Sequence, residues 1–372
     1  MAGLVCCCCE RQYSLDELLW KCECGSVLDI QCEARFPIEE IKGRSPTLWR
    51  YRESIPVTSD GSIVSMGEGF TPMVKEDLGG VPVWLKLEFM FPTGSFKDRG
   101  ASVLVSKMRE LGVKEAVEDS SGNAGCALAA YCAKGKIHCH IYVPDRAPVE
   151  KLTQIGMYTS NIRRIAGGRE AVATAALSAA EQGYYASHSW NPFFLQGTKT
   201  FAFEVWEQLN WSAPDTIIFP LGNGTLLLGA YIGFGDLLTE GIIGRMPRLI
   251  GVQSSACSPL FHMFRGEMAD IAPTTQNSVA DGISVANPIR GAQIIDAVRE
   301  SGGDIITVDD PQILEALRTM GRMGYYIEPT SAVGIAGAKV YAKRFSTGET
   351  IVIPLTGTGL KATRNIMDLM PS

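Results

Sequence analysis

The sequence predicts an α/β protein with mostly parallel sheets, and two observations support this prediction. From residue 115 onward, short apolar segments alternate with segments of helical periodicity, which is typical of a parallel sheet covered by helices. Glycine-containing polar loops follow several apolar segments and precede helices, as in folds that bind ligands at the carboxyl ends of strands. The patterns indicate strands at 115–117, 138–143, 162–165 and 184–186, and helices at 124–133, 149–156 and 170–182.

Composition and charge narrow the class of protein. A chain of 372 residues, 46% hydrophobic and 20% charged, is long enough for two lobes of an ordinary globular enzyme. Its formal net charge of -6 argues against nucleic acid or an anionic membrane as the partner. The long apolar run at 217–234 is interrupted by Pro220, Gly222 and Gly224, so it predicts a strand, a loop and a helix rather than a membrane span.

The number and spacing of the cysteines indicate a cytoplasmic protein with a metal site. The first residues carry no pattern of a secretion signal, so the 11 cysteines indicate a reducing cytoplasm, where clustered thiols bind metal rather than form disulfides. Cys6 and Cys9 have the spacing of a zinc knuckle, and Cys22 and Cys24 form a second close pair. We predict that these four cysteines bind zinc; the alternative is an N-terminal arm whose thiols bind nothing.

The segment at 83–100 places a lysine at the start of a helix. Residues 83–87 alternate as in a half-buried strand, Pro92 and Gly94 break the chain into a turn, and helical periodicity follows. We predict that Ser95 caps this helix and that Lys97 lies in its first turn. An amine close to the positive end of a helix, and partly removed from water, is suited to Schiff-base chemistry.

Pro-Thr-Gly-Ser-Phe-Lys-Asp-Arg at 92–99 resembles the cofactor-lysine segment of threonine synthases and related fold-type-II pyridoxal-phosphate enzymes. The resemblance implies that Lys97 holds pyridoxal 5'-phosphate, that the cofactor lies at the interface of two domains and that the protein is a homodimer. The implied domains are a zinc-ribbon-like arm at 1–40, a large cofactor-binding domain at 41–100 and 206–372, and a small inserted domain at 101–205. Similar ribbons occur on many threonine-synthase-like proteins.

Ser-Ser-Gly-Asn at 120–123 follows one predicted strand and opens a helix. Backbone N–H groups at a helix start bind anions, and a substrate carboxylate is the natural guest. The resemblance implies that Ser121, Gly122 and Asn123 bind this carboxylate. It also implies a contact between Asn123 and the phenolic oxygen of the cofactor.

Two later segments complete the predicted cofactor site. Gly222, Asn223, Gly224 and Thr225 follow the apolar strand at 216–219 and resemble the family's loop for the cofactor phosphate. Thr356 follows a buried strand, where fold-type-II enzymes place a hydroxyl against the pyridine nitrogen.

The segment at 187–200 resembles the one with which threonine synthases hold the substrate phosphate. Ser189 and Asn191 match its serine and asparagine, so they are predicted substrate contacts, but Phe194 stands at the position of its arginine. A phenyl ring cannot replace the bidentate contact of arginine with phosphate. Thr358 also stands where threonine synthases often have histidine.

The sequence therefore predicts a threonine-synthase-like enzyme of amino-acid metabolism that eliminates or replaces a group at the β or γ carbon. Its substrate is O-phosphohomoserine or an altered amino acid. One alternative is a threonine/serine dehydratase-type ammonia-lyase, which needs no phosphate clamp. Another is a cysteate-synthase-like enzyme that replaces the β group of O-phosphoserine. The non-enzyme alternative is a binding protein that has kept the fold.

Overall fold

The computed structural model describes residues 2–145, 147, 149–159, 161–267 and 278–369. The strands of this part are β1 (Gly3–Cys6), β2 (Gln12–Tyr13), β3 (Leu28–Gln31), β4 (Met73–Asp77), β5 (Pro82–Lys86), β6 (Glu115–Glu118), β7 (His138–Pro144), β8 (Ile162–Ile165), β9 (Tyr184–Tyr185), β10 (Thr216–Pro220), β11 (Arg248–Ser254), β12 (Asp304–Val308) and β13 (Ile351–Pro354). The α-helices are α1 (Ile38–Gly43), α2 (Lys97–Glu110), α3 (Asn123–Gly135), α4 (Val149–Tyr158), α5 (Arg169–Ala179), α6 (Pro192–Thr198), α7 (Thr200–Gln208), α8 (Thr225–Thr239), α9 (Pro259–Arg265), α10 (Gly291–Glu300), α11 (Asp310–Arg322), α12 (Pro329–Tyr341) and α13 (Thr363–Leu369). Short 3₁₀ helices lie at Leu48–Ser54, Asp60–Ser62, Glu88–Met90, Asp281–Ile283, Ala342–Arg344 and Gly359–Ala362.

The chain forms two compact units. Unit 1 consists of Met1–Phe70, Phe91–Thr93 and Lys97–Thr200. Unit 2 consists of Thr71–Met90, Gly94–Phe96 and Phe201–Ser372. These bounds differ from those of the predicted domains, because residues 41–70 and 97–100 cluster with the segment that was predicted as an inserted domain. The functional division into an arm, a large domain and a small domain stays a prediction.

Unit 1 contains two sheets. The order β8-β7-β6-β9 forms a parallel sheet, in which β6 pairs with both β7 and β9. The N-terminal arm is a separate antiparallel sheet in the order β2-β1-β3. The largest core of unit 1 includes buried side chains of α2, α3, β6, β7 and α6, together with Leu4 and Leu28 of the arm. The arm therefore packs into the core of its unit.

Unit 2 contains one six-stranded sheet in the order β12-β11-β10-β13-β5-β4. All neighbours are parallel except the edge strand β4, which runs antiparallel to β5. The two middle strands, β10 and β13, are apolar apart from Thr216, as expected for parallel strands covered on both faces; all four residues of β13 are buried. Short side chains along α12 allow this helix to pack closely, since a Cβ on Gly337 would lie 2.4 Å from Val252 Cγ2 of β11.

The structure confirms the α/β class and the mostly parallel sheets. Strand β8 has the predicted bounds, and the other strands and helices predicted between 115 and 186 agree to within three residues at each end. The apolar run at 217–234 is a strand, a loop and a helix, as predicted. Among the described residues, no helix is both long and apolar enough to cross a bilayer.

Candidate active site

Lys97 is the first residue of α2, and a buried turn fixes the start of this helix. The backbone N–H of Thr93 donates to Asp98 Oδ2 at 2.8 Å, and the Thr93 hydroxyl donates to Asp98 Oδ1. Asp98 and Arg99 are fully buried, and Arg99 donates to Thr200 Oγ1 at 3.0 Å. Lys97 itself is only partly buried. The amine is therefore accessible on a rigid support.

The prediction that Ser95 caps this helix is wrong. The helix begins at Lys97, two residues after Ser95, and Ser95 instead forms an isolated antiparallel bridge with Gly357. Its side chain is completely buried, and Ser95 Oγ has no hydrogen-bond partner within the described part of the chain. The turn is closed by the Asp98 carboxylate, which the helical pattern alone did not single out.

Phe194 lies next to the reactive lysine. The Lys97 amine is 5.8 Å from the centroid of the Phe194 ring, and Phe194 is fully buried. A Cβ on Gly100 would lie 2.4 Å from this ring, and one on Gly197 would lie 2.1 Å from the Arg99 carbonyl oxygen. The two glycines thus allow α2 and α6 to approach closely enough for Phe194 to reach the first turn of α2.

The loop at 119–122 joins β6 to α3, as the sequence predicted. Gly122 precedes the helix, and its N–H donates to Ser120 Oγ at 3.2 Å. Asn123 is the first residue of α3, and Ser121, Gly122 and Asn123 are all partly exposed. A Cβ on Gly125 would lie 1.9 Å from the Ser120 carbonyl oxygen, so the helix packs directly on the loop.

Ser189 and Asn191 lie in the segment that follows β9 and leads into α6. Ser189 Oγ is 3.3 Å from Ser187 Oγ. Asn191 is fully buried and caps α6: its Oδ1 accepts from the Phe193 N–H at 3.1 Å, and its Nδ2 donates to the Tyr184 hydroxyl at 2.8 Å. The observed bonds of Asn191 hold the segment in place, while Ser189 is partly exposed.

In unit 2, the loop at 221–224 joins β10 to α8. Gly224 caps this helix in the left-handed region with φ 67°. A Cβ on Gly224 would lie 2.3 Å from Ile294 Cδ1, and one on Gly222 would lie 2.9 Å from the Ile283 Cα. The first turn of α8 carries no acidic side chain. Since the first N–H groups of a helix lack intrahelical acceptors, this loop offers backbone donors to an anion.

Thr356 is buried two residues after β13 and belongs to a pair of hydroxyls. Its Oγ1 is 3.0 Å from Ser331 Oγ, and Ser331 also bonds to the carbonyl oxygen of Gly357 at 3.1 Å and to its N–H at 2.8 Å. The Thr356 carbonyl accepts from the Phe96 N–H at 3.1 Å. Ser331 lies in the first turn of α12 and was not among the predicted site residues, although the segment at 326–332 resembles one near the cofactor ring in the family.

The four predicted thiols of the arm come together. The Sγ atoms of Cys6, Cys9, Cys22 and Cys24 all lie within 4.8 Å of one another. The backbone N–H groups of Cys8 and Cys9 both point at Cys6 Sγ at 3.4 Å, and the Tyr13 hydroxyl is 3.1 Å from Cys22 Sγ. No disulfide joins any of the 11 cysteines, all of which lie in the described part of the chain.

Comparison with known proteins decides the family. Residues 64–357 match the family described as pyridoxal-phosphate dependent enzyme. The chain belongs to this family. The pyridoxal-phosphate-dependent relatives include a threonine synthase from Methanocaldococcus jannaschii, 35% identical over 95% of this chain and 91% of that protein. A threonine synthase from Methanosarcina acetivorans is 33% identical over 99% of this chain and 94% of that protein.

Structural comparison gives the same fold. The structure of an L-serine ammonia-lyase from the fungus Rhizomucor miehei superposes with a TM-score of 0.69, covering 80% of this chain and 96% of that chain at 20% identity. The sequence relatives and the fold together make this chain a threonine-synthase-like, pyridoxal-phosphate-dependent lyase.

The observed residues fit the cofactor of this pyridoxal-phosphate-dependent family. Lys97 supplies a partly exposed amine. The 221–224 loop supplies a helix start at which Ile283 and Ile294 leave no room for a Cβ on Gly222 or Gly224. The buried Ser95 hydroxyl is a polar atom that a ligand would satisfy, since buried polar groups are nearly always hydrogen-bonded.

Proposed function

We propose that this lyase acts at the β or γ carbon of an amino acid, and that no arginine side chain binds the leaving group of this substrate. Phe194 carries this proposal, because it lies buried against the Lys97 amine at the position where the resemblance requires an arginine. An apolar ring at this position favours a substrate side chain without a phosphate. O-phosphohomoserine, the natural threonine-synthase substrate, is then replaced by another amino acid, and an ammonia-lyase reaction on threonine or serine is the closest alternative.

The proposed roles follow the observed positions. Lys97 would hold pyridoxal 5'-phosphate covalently, and Thr356 would be the hydroxyl partner of its ring nitrogen. The phosphate would be bound by Gly222, Asn223, Gly224 and Thr225. When bound, the cofactor supplies an electron sink for the negative charge that forms at the substrate α carbon. With the cofactor in place, Lys97 Nζ would also be the general base that takes the α-proton of the substrate.

The substrate roles fall to the loop before α3 and to the segment after β9. Ser121, Gly122 and Asn123 bind the α-carboxylate at the helix start, where N–H groups and the helix dipole favour an anion. Asn123 also donates to the phenolic oxygen of the cofactor. Ser189 contacts the substrate side chain, and the buried bonds of Asn191 favour a role in orienting this segment over direct contact.

The cofactor proposal is tested by absorbance. Purified protein should show the near-visible band of pyridoxal phosphate joined to a lysine, and Lys97→Ala should abolish both this band and turnover. Lys134→Ala, at an exposed lysine of α3 outside the proposed site, tests whether the effect is specific. A band that persists in the Lys97→Ala protein would contradict the assignment of the lysine.

Titration with amino acids tests the substrate. L-threonine, L-serine, O-phosphohomoserine and O-phosphoserine are added separately, and the band, ammonia release and phosphate release are recorded. A response to an amino acid without phosphate is expected. Release of phosphate and threonine from O-phosphohomoserine would restore the threonine-synthase reaction despite Phe194.

We also propose that the four clustered thiols bind one structural zinc ion. Four sulfur ligands within tetrahedral reach, with N–H groups directed at Cys6 Sγ, are the arrangement of a closed structural site. Metal analysis should give one zinc per chain, and Cys22→Ser should remove it. Cys8→Ser, at an exposed cysteine outside the cluster, should retain it. Equal zinc content in both variants would refute the site.

The family resemblance further leads us to propose a homodimer. Light scattering after size exclusion should give twice the 40.2 kDa mass of one chain. A mass of one chain at micromolar concentration would contradict this.

A further inference from the structure

A buried carboxyl and a histidine form a pair at the carboxyl end of β6. Glu118 Oε1 is 2.9 Å from His188 Nδ1. The Glu118 side chain is completely buried, and that of His188 is 12% exposed. Glu118 Oε2 is also buried and has no hydrogen-bond partner in the described part of the chain. A carboxyl in such a position is costly and calls for an explanation beyond packing.

The pair lies beside the reactive lysine. The His188 ring packs edge-on against Phe194 with centroids 5.9 Å apart, and the Lys97 amine lies over the same Phe194 ring at 5.8 Å. His188 directly precedes Ser189, the proposed contact of the substrate side chain. Thus the imidazole and the lysine approach Phe194 together, at the position where the family resemblance places the group that leaves.

The pair is suited to giving up one proton. If the proton between the two groups lies on Glu118, neutral His188 carries its own proton on Nε2; if it lies on Nδ1, the imidazolium carries one on Nε2 as well. Nε2 therefore carries a proton in both arrangements. Burial raises the pKa of Glu118 to about 8, so the pair keeps its proton near neutral pH.

We propose that His188 is the catalytic proton donor to a hydroxyl leaving group and that Glu118 positions its imidazole, which makes β-hydroxy amino acids the substrate class. This inference rests on the proposed function. As the Cβ–O bond breaks, its electron pair leaves with the oxygen, and that oxygen takes the Nε2 proton and departs as water. The electron pair left at Cα by removal of the α-proton forms the Cα–Cβ double bond. Phosphate needs no such donor, whereas hydroxide is a poor leaving group without one.

Other ionisable groups face the pair from each element around it. Asp119 follows Glu118, and burial together with the charge of Glu118 raises the pKa of Asp119 to about 6. Tyr185 of β9 is close to both carboxyls, and burial raises its pKa. The positive charge of Lys97 on α2 opposes the rise in the pKa of Glu118. Among these carboxyl, phenol and amine groups, Glu118 is the one that contacts the His188 imidazole directly.

A leaving-group comparison tests the proton donor. The holoenzyme is assayed with L-threonine and L-serine, which lose hydroxide, and with β-chloro-L-alanine, whose chloride leaves without a proton. We expect His188→Asn to lower kcat/KM for the hydroxy amino acids by about 100-fold, as loss of a general acid does, with a change of less than about threefold for β-chloro-L-alanine. An equal loss with all three substrates would overturn the inference, since that is the effect of a structural role.

A second histidine pair on the same strand gives the matched control. His140 Nε2 is 2.7 Å from Glu115 Oε2 at the amino end of β6, and both side chains are partly exposed. His140→Asn should leave all three rates unchanged. His188→Gln serves as a second variant should His188→Asn fail to fold.

Glu118→Gln tests the positioning role through the pH profile. A glutamine oxygen accepts from Nδ1 and leaves Nε2 of the neutral imidazole without a proton, so the donor exists only in the imidazolium. The alkaline limb for L-threonine should therefore move from about pH 8 towards the ordinary histidine value of about 6.5. An unchanged limb would remove Glu118 from the mechanism.

A readout without turnover separates this inference from the proposed function. The chain has only 4 histidines, so imidazole NMR signals of cofactor-free protein can be assigned by the His188→Asn spectrum. The His188 titration should shift on Glu118→Gln and not on Glu115→Gln. Turnover of L-threonine together with a His188 titration that Glu118→Gln leaves unchanged would overturn the inference alone. Release of phosphate from O-phosphohomoserine with no response to hydroxy amino acids would overturn both the inference and the proposed substrate. Absence of the cofactor band would overturn the proposed function.

Discussion

Two loops of this protein share a backbone arrangement but present different chemical groups. The loop at 119–122 in unit 1 and the loop at 221–224 in unit 2 each follow a parallel strand and open a helix, and each has glycine in the position before that helix. The first loop is lined by polar side chains, with Glu118 and Asp119 at its start. The second has no acidic residue in the first helical turn and presents mainly backbone.

The difference lies in where each junction packs tightly. In the 119–122 loop, the close approach involves a helical residue, Gly125, and leaves the loop side chains exposed to a ligand. In the 221–224 loop, the glycines of the loop itself pack on Ile283 and Ile294, so no side chain can stand between the helix N–H groups and an anion. The first junction therefore presents side chains, and the second presents mainly backbone N–H groups.

The largest expected effect is that of Gly125→Ala, which breaks the packing of the first junction. The new Cβ would lie 1.9 Å from the Ser120 carbonyl oxygen. Because this oxygen belongs to the backbone, a change of side-chain rotamer cannot relieve the clash. We expect a loss of about 3 kcal/mol or more in the free energy of unfolding, measured by urea denaturation. Gly321→Ala is the control: it lies in helix α11 with no atom within 4 Å, and it should stabilise by up to about 1 kcal/mol.

Gly224→Ala should have a smaller effect on stability and a clear effect on the cofactor. Alanine at φ 67° costs about 1–2 kcal/mol, and its Cβ would displace Ile294, whose side chain can move. The titrated absorbance band should show pyridoxal phosphate binding weakened by at least about tenfold. Gly241→Ala has the same φ of 67° with open space around it, so it should reproduce the backbone cost without the loss of cofactor. Equal cofactor affinity in the two variants would contradict phosphate binding by this loop.

Glu118→Gln sharpens the comparison through the pH dependence of stability. Because burial raises the pKa of Glu118 from 4.5 to about 8, the folded state takes up a proton that the unfolded state has lost. The stabilising effect of this carboxyl is complete below pH 4.5 and disappears as the pH rises through about 8. Relative to wild type, the glutamine variant should thus gain at most about 5 kcal/mol of stability between these two pH values, because each unit of pKa shift corresponds to about 1.4 kcal/mol. A constant difference across this range would show that Glu118 is ionised throughout.

Asn123→Ala tests the side-chain character of the first junction and should have the smallest effect on folding. Since Asn123 is partly exposed at the first position of α3, we expect a change below about 1 kcal/mol in stability. The amino-acid concentration that half-saturates the spectral shift should rise about tenfold, or by about 1.4 kcal/mol. Asn123→Asp should weaken it further, because a carboxylate repels the substrate carboxylate. Unchanged substrate affinity in both variants would contradict the proposed contact.

The sequence allowed prediction of features that depend on local pattern. The strand β8, the strand–loop–helix units at 115–135 and 216–239, and the clustering of Cys6, Cys9, Cys22 and Cys24 follow from periodicity, glycine placement and ligand spacing. The Ser95 cap failed for a tertiary reason: residues 94–96 bond to the segment after β13, so the helix starts later. The Glu118–His188 contact joins residues 70 positions apart, and the Ser331–Thr356 pair joins residues 25 apart. No local pattern specifies either, because both depend on which strands become neighbours.

The position of β13 has a consequence for how the protein is made. This strand lies between β10 and β5 in the sheet of unit 2, yet it follows both of them in the chain: β5 ends at Lys86, β10 ends at Pro220 and β13 begins at Ile351. The segment after it also binds residues 94–96, through bonds from the Phe96 N–H to the Thr356 carbonyl and from the Thr358 N–H to the Gly94 carbonyl. Chains grow from the N-terminus and fold in that order, so on the ribosome the sheet of unit 2 stays divided until β13 has been synthesised. A ribosome that stalls shortly before β13 releases a chain whose sheet is split at its middle, with two apolar strand edges open to other chains.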